Sequence, residues 1–460
     1  MSGDGLRASE QKMREAGVPE VAIDTFRHYH AQLEAGESGL MAEAEIAPVD
    51  VLPGAEDLPA QTDAAALGRA VSIKLNGGLG TSMGMAQAKS LLPVKEGLTF
   101  LDLIVRQTLE LRRRHEVRLP LVLMNSFYTR DESLAALGRH PDVGADVPLD
   151  FVQNKEPKLR VEDLHPVQWP SRPELEWCPP GHGDLYTALV TSGMLDRLLE
   201  AGYEYAFVSN ADNLGAVLDP HILAFFAAQE APFLMEVADR TEADRKGGHL
   251  ARRRSDGQLV LRELAQAPEE DHEAFQDVRR HRFFNTNTLW VNLRILADVL
   301  AQRGNVLGLP LIRNEKTVDP ADPASPAVVQ IETAMGAAIS VFEGAQALRV
   351  GRERFAPVKT TNDLLALRSD RYEVTEDGRV AVAAGDGDGA MFVDLDPEFF
   401  KLLDDFDARF PAGPPSLVGC ERLVVRGDVT FGADVVASGA VEVRAEGGPV
   451  SLADGTRLEG

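Results

Sequence analysis

The sequence predicts an α/β fold: a doubly wound, mainly parallel sheet, followed by a short parallel β-helix near the carboxyl end. Short apolar runs typical of buried strands alternate with segments whose apolar residues recur at helical spacing, and this alternation favours parallel strands covered by helices on both faces. Beyond Pro415 the pattern changes to an apolar residue at every sixth position, which is typical of a parallel β-helix.

The first 66 residues are predicted to form a helical segment and a linker. Ala22, Phe26, Tyr29 and Leu33 lie at helical spacing after Pro19, a residue that suits a first helical turn. Residues 47–65 are rich in Pro, Asp, Gly and Ala and lack periodicity, which indicates a linker. The main domain is therefore expected to span residues 67–410.

Strands and helices alternate along this main domain. Strand-like runs are predicted at residues 70–75, 120–124, 149–153, 205–209 and 233–237. Helix-like runs are predicted at residues 100–114 and 220–228. The sequence Ser255-Asp256-Gly257 between two apolar runs predicts a hairpin inserted into the sheet.

The carboxyl end is predicted to form a solenoid over residues 417–460. Leu423, Val429, Val435 and Val441 follow one another at six-residue intervals, with glycines between them. Four apolar matches also fit a plain antiparallel sheet, so that alternative stays open. The end of a β-helix is a candidate contact for a homo-oligomer, and the shortness of this one favours a monomer or dimer over a larger ring.

Composition and charge exclude several classes of protein. The chain has 460 residues, of which 44% are hydrophobic and 26% are charged, as in ordinary globular proteins. Its net charge of -25 at pH 7 would repel a polyanion, so we expect no nucleic-acid partner. No apolar run approaches a membrane span, and neither Cys178 nor Cys420 belongs to a CxxC pair, so we expect a cytoplasmic protein without membrane attachment.

A glycine-rich segment after the first strand of the main domain is the strongest local signal. Residues 75–84 read LNGGLGTSMG, and Lys89 and Ser90 follow. Glycines let backbone N–H groups approach phosphate oxygens closely, and the lysine adds a positive charge. A dinucleotide fingerprint is disfavoured because the spacing is one residue too long, and a P-loop because Ala88 stands where glycine is needed. A merely flexible loop remains the alternative for this segment alone.

This loop, with Lys89, resembles the nucleotide-binding loop of the eukaryotic-type UTP:glucose-1-phosphate uridylyltransferases, also called UDP-glucose pyrophosphorylases. The resemblance extends from about residue 70 to the carboxyl end, through an ordered set of further motifs. They are MNS at 124–126, WCPPGHGD at 177–184, VSNADNLG at 208–215, residues 236–248, residues 264–268, FNTNTLW at 284–290, QIETAMGAAI at 330–339 and RFAPVKTTNDLL at 354–365. Ala88, Lys158 and Cys178 depart from the residues common in the family, and none of the three removes a charged catalytic group.

The resemblance implies a Rossmann-like, GT-A-like nucleotidyltransferase domain followed by the β-helix. It also implies Mg²⁺-dependent, reversible transfer of the uridylyl group from UTP to glucose 1-phosphate, by in-line attack on the α-phosphate, giving UDP-glucose and pyrophosphate. Two alternatives stay open: a UDP-sugar pyrophosphorylase of broader sugar specificity, and a catalytically silent nucleotide-sugar sensor.

The site residues are those that the family's motifs place in this sequence. The implied catalytic residues are Lys359, Lys246 and Lys89. Those implied to bind UTP are Leu75, Asn76, Gly77, Gly78, Lys89, Gln153, Gly181, Asp212 and Lys359. Those implied to bind the sugar phosphate are His182, Asn210, Ala211, Asp212, Asn287 and Glu332, and Asp212 is also the implied Mg²⁺ ligand.

Ordinary structural roles compete with each of these assignments. Without the motif, an Asp after a strand is commonly a cap or turn residue. Lysines in loops are usually solvated surface charges. In a protein of charge -25, however, two anionic substrates need local cations, and we expect Lys74, Lys89, Lys246 and Lys359 to provide them.

Overall fold

A mixed sheet of ten strands is the largest layer of the computed structural model, which describes residues 3–383 and 391–460. The predicted main domain thus includes residues 384–390, which lie outside the described residues. The helices of the described residues are α1 (Asp4–Glu15), α2 (Glu20–Glu34), α3 (Ala64–Leu67), α4 (Phe100–His115), α5 (Arg130–Leu137), α6 (Leu185–Thr191), α7 (Met194–Glu200), α8 (Pro220–Ala228), α9 (His272–Gln276), α10 (Leu293–Gln302), α11 (Thr361–Arg368), α12 (Pro397–Phe400) and α13 (Leu403–Arg409).

The strands follow the same chain order. They are β1 (Ile46–Pro48), β2 (Ala70–Asn76), β3 (Pro93–Lys95), β4 (Leu98–Thr99), β5 (Leu121–Asn125), β6 (Asp150–Val152), β7 (Glu156–Pro157), β8 (Leu159–Arg160), β9 (Trp177–Cys178), β10 (Tyr205–Asn210), β11 (Phe233–Asp239), β12 (His249–Arg253), β13 (Leu259–Arg262), β14 (Phe283–Asn292), β15 (Ile312–Thr317), β16 (Ala327–Glu332), β17 (Gln346–Arg349), β18 (Tyr372–Val374), β19 (Val380–Val382), β20 (Phe392–Leu395), β21 (Cys420–Arg426), β22 (Val429–Phe431), β23 (Val436–Arg444), β24 (Val450–Leu452) and β25 (Arg457–Glu459).

The large sheet is rich in parallel pairs, as the sequence predicts. Its main path runs β1-β12-β14-β10-β2-β5-β6, with β11 and β17 attached beside β14 and with β13 beside β12. The pairs β10–β2, β2–β5, β5–β6 and β11–β17 are parallel. The long strand β14 lies antiparallel to both β10 and β11 and makes the sheet mixed. The hairpin predicted around Asp256 is present as β12–β13.

The predicted elements of the main domain agree with the observed ones. The five predicted strands correspond to β2, β5, β6, β10 and β11, and the two predicted helices correspond to α4 and α8. The sequence also sets where α4 begins, because Thr99 and Asp102 form a capping box: Thr99 Oγ1 accepts the Asp102 N–H at 3.1 Å, and Asp102 Oδ2 accepts the Thr99 N–H at 2.9 Å.

The predicted amino-terminal helix is α2, which packs on a separate small sheet of order β15-β16-β8. Phe26, Tyr29 and Leu33 lie in one buried cluster with Leu159 and Val329. The linker predicted over residues 47–65 is only partly irregular. Its first residues belong to β1, an edge strand where Pro48 is tolerated, and its last residues begin α3.

The carboxyl-terminal strands pair in parallel, so the antiparallel alternative is wrong for them. β20 pairs with β21, β21 with β23, β23 with β25, and β22 with β24, all in parallel. Leu423, Val429, Val435 and Val441 are buried in one hydrophobic cluster with residues of α4 and α11. This segment therefore shares a core with the part of the chain that carries the glycine-rich loop.

No helix of the described residues is long and apolar enough to cross a membrane.

Candidate active site

A cavity of about 330 Å³ lies at the carboxyl ends of β2 and β10. Parallel strands end at the same edge of a sheet, and open α/β sheets bind ligands at this edge. Most of the predicted site residues line the cavity: Leu75, Asn76, Gly77, Gly78, Lys89, Gln153, Gly181, His182, Asn210, Ala211 and Asp212.

The glycine-rich loop folds back on itself, which brings Lys89 close to its first residues. Leu79 forms a β-bridge with Ala88, and the Lys89 N–H donates to the Gly78 carbonyl oxygen at 3.2 Å. Gly77 cannot be replaced without displacing Gln153, because a Cβ atom there would lie 2.9 Å from Gln153 Oε1. The backbone of Gly77 and the amide of Gln153 are thus neighbours in the cavity wall.

Lys89 and Asp212 form an ion pair in the cavity. Lys89 Nζ donates to Asp212 Oδ2 at 2.6 Å, and the two side chains are 16% and 21% exposed. The pair brings a cation from the glycine-rich loop and a carboxylate from the end of β10 to one point. The arrangement is suited to phosphate binding, since the ammonium group attracts phosphate oxygens and the carboxylate could hold a divalent cation that neutralises their charge.

A Mg²⁺ ion fits this donor set only if its ligand supplies most of the oxygens. Among the residues described, no cluster of three or more His, Cys, Asp or Glu side chains could hold a metal ion. Among the described residues that line the cavity, Asp212 alone carries a carboxylate, which is a hard oxygen ligand. Nucleotide-bound Mg²⁺ commonly uses one or two protein carboxylates together with phosphate oxygens, so this geometry is compatible with it.

His182 is held as a neutral hydrogen-bond donor. Its Nδ1 accepts the Met335 N–H at 3.0 Å, so the ring proton of the neutral form resides on Nε2. Burial lowers the pKa of His182, with a smaller opposing effect from Glu332, and favours this neutral form. Since His182 lines the cavity, its Nε2–H is available to an oxygen of a bound ligand.

Gly181 and Glu332 adjoin each other where two backbones approach closely. Gly181 has φ +76°, and a Cβ atom on it would lie 2.6 Å from the Thr333 carbonyl oxygen. The same Cβ would lie 3.2 Å from Glu332 Cβ. Glu332 is not part of the cavity lining. Its Oε1 accepts hydrogen bonds from Asn314 Nδ2 and Lys316 Nζ, both at 3.0 Å.

Asn287 also lies outside the cavity lining, in an irregular part of β14. The register of β14 against β11 shifts at this point, because Glu236 pairs with Thr288 while Val237 pairs with Asn285. Asn287 has φ +56°, and its Oδ1 accepts from Asn285 Nδ2 at 2.8 Å. β-bulges re-aim side chains and occur often beside active sites.

Lys246 and Lys359 are both exposed and do not line the cavity. Lys246 lies in the turn between β11 and β12. Lys359 directly follows a residue that is attached to the site, because the Val358 N–H donates to the Asp212 carbonyl oxygen at 3.2 Å. The structure therefore brings the Lys359 backbone to Asp212, whereas it leaves Lys246 apart from the cavity.

Two residues that the sequence analysis expected to contact the substrates, Lys74 and Asn76, use their side-chain donors within the protein. Lys74 was expected to add to the cations around the substrates, but it is 3% exposed and donates to Ser209 Oγ at 2.6 Å and to the Ala216 carbonyl oxygen at 2.7 Å. Its position in β2 turns it into the protein. Asn76 lines the cavity, but its Nδ2 donates to Asn125 Oδ1 at 2.8 Å and to Ser133 Oγ at 2.7 Å, so its amide protons are engaged within the protein.

The sequence analysis did not predict the contact that holds the chain beside Gln153 in place. The Asp184 carboxylate accepts the Asn154 N–H at 2.6 Å and Asn154 Nδ2 at 2.8 Å, which fixes the chain next to Gln153. Burial raises the pKa of Asp184 to about 7, although both hydrogen bonds oppose the shift. A charged residue at the end of a glycine-rich turn was the available signal. Ser90, Met124 and Pro179 also line the cavity; all three belong to segments singled out in the sequence, but none was assigned to the site.

The comparisons with known proteins agree with this geometry. A family model described as UTP--glucose-1-phosphate uridylyltransferase matches residues 23–437. The chain belongs to this family. It is 38% identical to the UTP--glucose-1-phosphate uridylyltransferase of Hordeum vulgare over 467 aligned residues, which cover 99% of this chain and 95% of that protein. It is 40% identical to the enzyme of the same name from Solanum tuberosum, over 88% of this chain and 82% of that protein.

Solved structures in the family are also similar. The UDP-glucose pyrophosphorylase of Leishmania major, described in open and closed forms, matches with a TM-score of 0.94 and 44% identity over 100% of this chain and 99% of that chain. A variant of the Leishmania major protein in complex with UDP-glucose matches with a TM-score of 0.94 and 45% identity, over 100% of this chain and 99% of that one.

Proposed function

We propose that this protein transfers the uridylyl group of UTP to glucose 1-phosphate and forms UDP-glucose and pyrophosphate in a reversible reaction. The observation that carries this proposal is the cavity at the ends of β2 and β10. In this cavity the glycine-rich loop, the Lys89–Asp212 pair and His182 meet, in a chain of the uridylyltransferase family.

The glycine-rich loop and Gln153 are proposed to bind UTP. Gly77 and Gly78 offer backbone groups beside the Gln153 amide, and an amide can pair with the imide edge of uracil. A base without that edge would leave buried polar groups unpaired, which is a strong source of discrimination. Leu75, Asn76 and Gly181 complete the proposed nucleotide contacts.

Glucose 1-phosphate is proposed to lie beside His182, Asn210 and Ala211. His182 Nε2–H donates to an oxygen of the sugar phosphate in this proposal, because Nδ1 is already engaged. Asn287 and Glu332 stay predicted sugar contacts. Both lie outside the cavity lining here, so their assignment requires the ligand to extend beyond it.

Mg²⁺ is the proposed cofactor, with Asp212 as its protein ligand. When bound, the ion neutralises charge on the phosphate oxygens of UTP. Lys89, which donates to Asp212 at 2.6 Å, is then proposed to face the same phosphates.

Catalysis is proposed to rest on positioning and on charge neutralisation, since phosphoryl-type transfer needs little covalent help from the protein. A phosphate oxygen of glucose 1-phosphate attacks the α-phosphorus, and the bond to the pyrophosphate oxygen breaks in line. Lys359 and Lys246 are proposed to neutralise the charge that develops at the attacked phosphate. Both lysines are exposed, and Lys359 Nζ lies over the Phe355 ring, 5.8 Å from its centroid.

The organisation of the chain is part of the proposal. Residues 1–66 form the amino-terminal segment, residues 67–410 the doubly wound nucleotidyltransferase domain, and residues 417–460 a short β-helix. Parallel partners in the last segment lie about one coil apart, since Leu423 pairs with Val441 and Val429 pairs with Val450. A homo-oligomer through this segment stays a prediction. A cytoplasmic location is also proposed, because the chain has only two cysteines and neither belongs to a CxxC pair.

The test is a pyrophosphate-release assay over four nucleoside triphosphates and several sugar 1-phosphates, with and without Mg²⁺. Release confined to UTP with glucose 1-phosphate, and dependent on the metal, supports the proposal. Equal turnover across sugars would favour a UDP-sugar pyrophosphorylase of broader specificity. Binding of UDP-glucose without turnover in any combination would favour the silent sensor and contradict the proposed reaction.

A further inference from the structure

The loop after β10, which contains Asp212, meets the loop that leads to Lys359, and the side chain of Asn213 joins the two loops. The Asn213 amide Nδ2 donates to the Arg354 carbonyl oxygen at 3.1 Å, and its Oδ1 accepts the Ala356 N–H at 3.0 Å. The same Oδ1 accepts the Gly215 N–H at 3.2 Å. Asn213 is 2% exposed, and its backbone forms a β-bridge with Pro357. A single carboxamide thus uses its donor and its acceptor to hold the loop before Lys359.

The far end of that loop is anchored in the large sheet. Arg354 Nε and Nη2 donate to the two Glu236 carboxylate oxygens at 2.7 and 2.8 Å, and Nη2 also donates to the Val217 carbonyl oxygen at 3.0 Å. Glu236 is fully buried in β11 and accepts Trp290 Nε1–H at 2.9 Å. This bidentate pair fixes where the loop leaves the sheet.

The two loops approach so closely that glycine is required at the crossing. A Cβ atom on Gly215 would lie 2.3 Å from the Glu353 carbonyl oxygen and 2.8 Å from the Arg354 carbonyl carbon. Both are backbone atoms, so neither can move aside as a flexible side chain would. The contact between the loops is therefore continuous, from Gly215 through Asn213 to Asp212.

Lys359 follows this contact directly and is held on its other side as well. The Val358 N–H donates to the Asp212 carbonyl oxygen at 3.2 Å. The N–H groups of Lys359 and Thr360 both donate to Asp363 Oδ2 at 2.8 Å, at the start of α11. The backbone around Lys359 is thus tied to the residue that carries the proposed metal ligand, while the lysine side chain remains exposed.

We propose that Asn213 is a positioning residue, which sets the place of the Lys359 ammonium group relative to the Asp212 carboxylate. This inference rests on the proposed function for the role of Lys359, but the geometry of the clamp does not depend on it. Asn213 touches neither substrate in this proposal, and it acts through the loop that it holds. Aspartate at this position would keep the acceptor and lose the donor, and leucine would lose both at similar size.

The experiment measures steady-state kinetics of Asn213→Leu and Asn213→Asp beside the parent protein. We expect Asn213→Leu to lower kcat by about 10- to 100-fold while the KM values change less than about threefold, because the interaction lost serves the transition state. Asn213→Asp should lie between the leucine variant and the parent. It also keeps the test decisive if the leucine variant fails to fold.

Non-additivity distinguishes positioning from general loosening. In a Lys359→Ala background, Asn213→Leu should lower kcat by a further factor below about two, since its effect passes through the missing ammonium group. The matched control is Asn362→Leu, because Asn362 also accepts a distant backbone N–H, from Leu395 at 3.1 Å, and lies three residues beyond Lys359. This control should change kcat by less than about twofold.

A readout without substrate separates this inference from the proposed reaction. Trypsin cleaves after lysine, and the tethered Lys359–Thr360 bond should be cut about tenfold faster in Asn213→Leu than in the parent protein, since local opening governs such cleavage. Faster cleavage in a chain without uridylyltransferase activity would retain the clamp and overturn the proposed reaction. Unchanged cleavage of Asn213→Leu would overturn the role of Asn213. So would a double variant whose loss in kcat equals the product of the losses of Asn213→Leu and Lys359→Ala.

Discussion

The buried lysine Lys74, in strand β2 of the large sheet, should make the stability of the protein depend on pH. Its ammonium group is 3% exposed and donates to Ser209 Oγ and to the Ala216 carbonyl oxygen. Burial and, to a smaller extent, the charge of Arg354 lower the pKa of Lys74 from 10.5 to about 7, against an opposing effect of Glu236. The folded chain therefore releases this proton in a range where the unfolded chain still holds it.

The sign and size of the effect follow from that difference. Between pH 7 and 10.5 the unfolded state binds more protons at Lys74 than the folded state, so stability rises with pH in this window. From pH 7 to pH 9, a folded-state pKa of about 7 corresponds to a gain of about 2 kcal/mol in the free energy of unfolding. Lys74→Met lacks the titrating group and should lose this gain. The hydrogen bonds that Lys74→Met loses change the free energy of unfolding by the same amount at every pH, so they do not alter its pH dependence.

The measurement is urea unfolding at pH 6, 7, 8 and 9, followed by tryptophan fluorescence, because Trp290 is fully buried in the sheet. The difference in unfolding free energy between parent and Lys74→Met should grow by about 2 kcal/mol from pH 7 to pH 9. The control is Lys401→Met, a change at an exposed lysine that should leave the pH dependence of the parent intact. Parallel curves for the parent and Lys74→Met, within about 0.5 kcal/mol, would refute the reasoning.

Three further predictions concern the site and the carboxyl-terminal strands. Lys359→Ala should lower kcat about 100-fold or more with a smaller effect on UTP binding, and turnover within about threefold of the parent would contradict its role. Asp212→Asn should lower activity and raise the Mg²⁺ concentration needed for half activity, so an unchanged metal titration would assign the ion to another residue. Phe431 is fully buried and stacks on Phe410, with 4.8 Å between the ring centroids. The substitution Phe431→Ala should therefore lower the free energy of unfolding by about 3–5 kcal/mol in the same urea assay. The control Phe392→Ala, at a position that is 46% exposed, should lower it far less.

The sequence predicted those parts of the site that follow directly from a strand. Parallel strands end at one edge, so the residues after β2 and β10 had to converge, and the glycines of residues 77–84 marked the loop. The five predicted strands are present for a similar reason, since each is a short apolar run with its own turn signals.

The remaining features depend on contacts between distant parts of the chain. Asn213 and Arg354 are 141 residues apart, and nothing in their local sequence indicates that one amide joins them. Asp184 supports Asn154 across 30 residues, again through side-chain geometry alone. The antiparallel course of β14 was not foreseen either, because a strand buried on both faces shows no period that reveals its direction.

The core shared by α4, α11 and the carboxyl-terminal strands has a consequence for biosynthesis. The cluster that buries Phe100 and Leu101 also contains Leu423 and Val429, which leave the ribosome long after α4 has been translated. The nascent chain therefore carries an unfinished apolar surface for most of its synthesis, and such surfaces recruit chaperones or aggregate. A premature stop codon between α11 and β21 would produce a polypeptide that contains all the proposed catalytic residues but cannot close its core. In a cell, quality control would degrade such a product, so a lesion far from the chemistry would act as a loss of enzyme abundance.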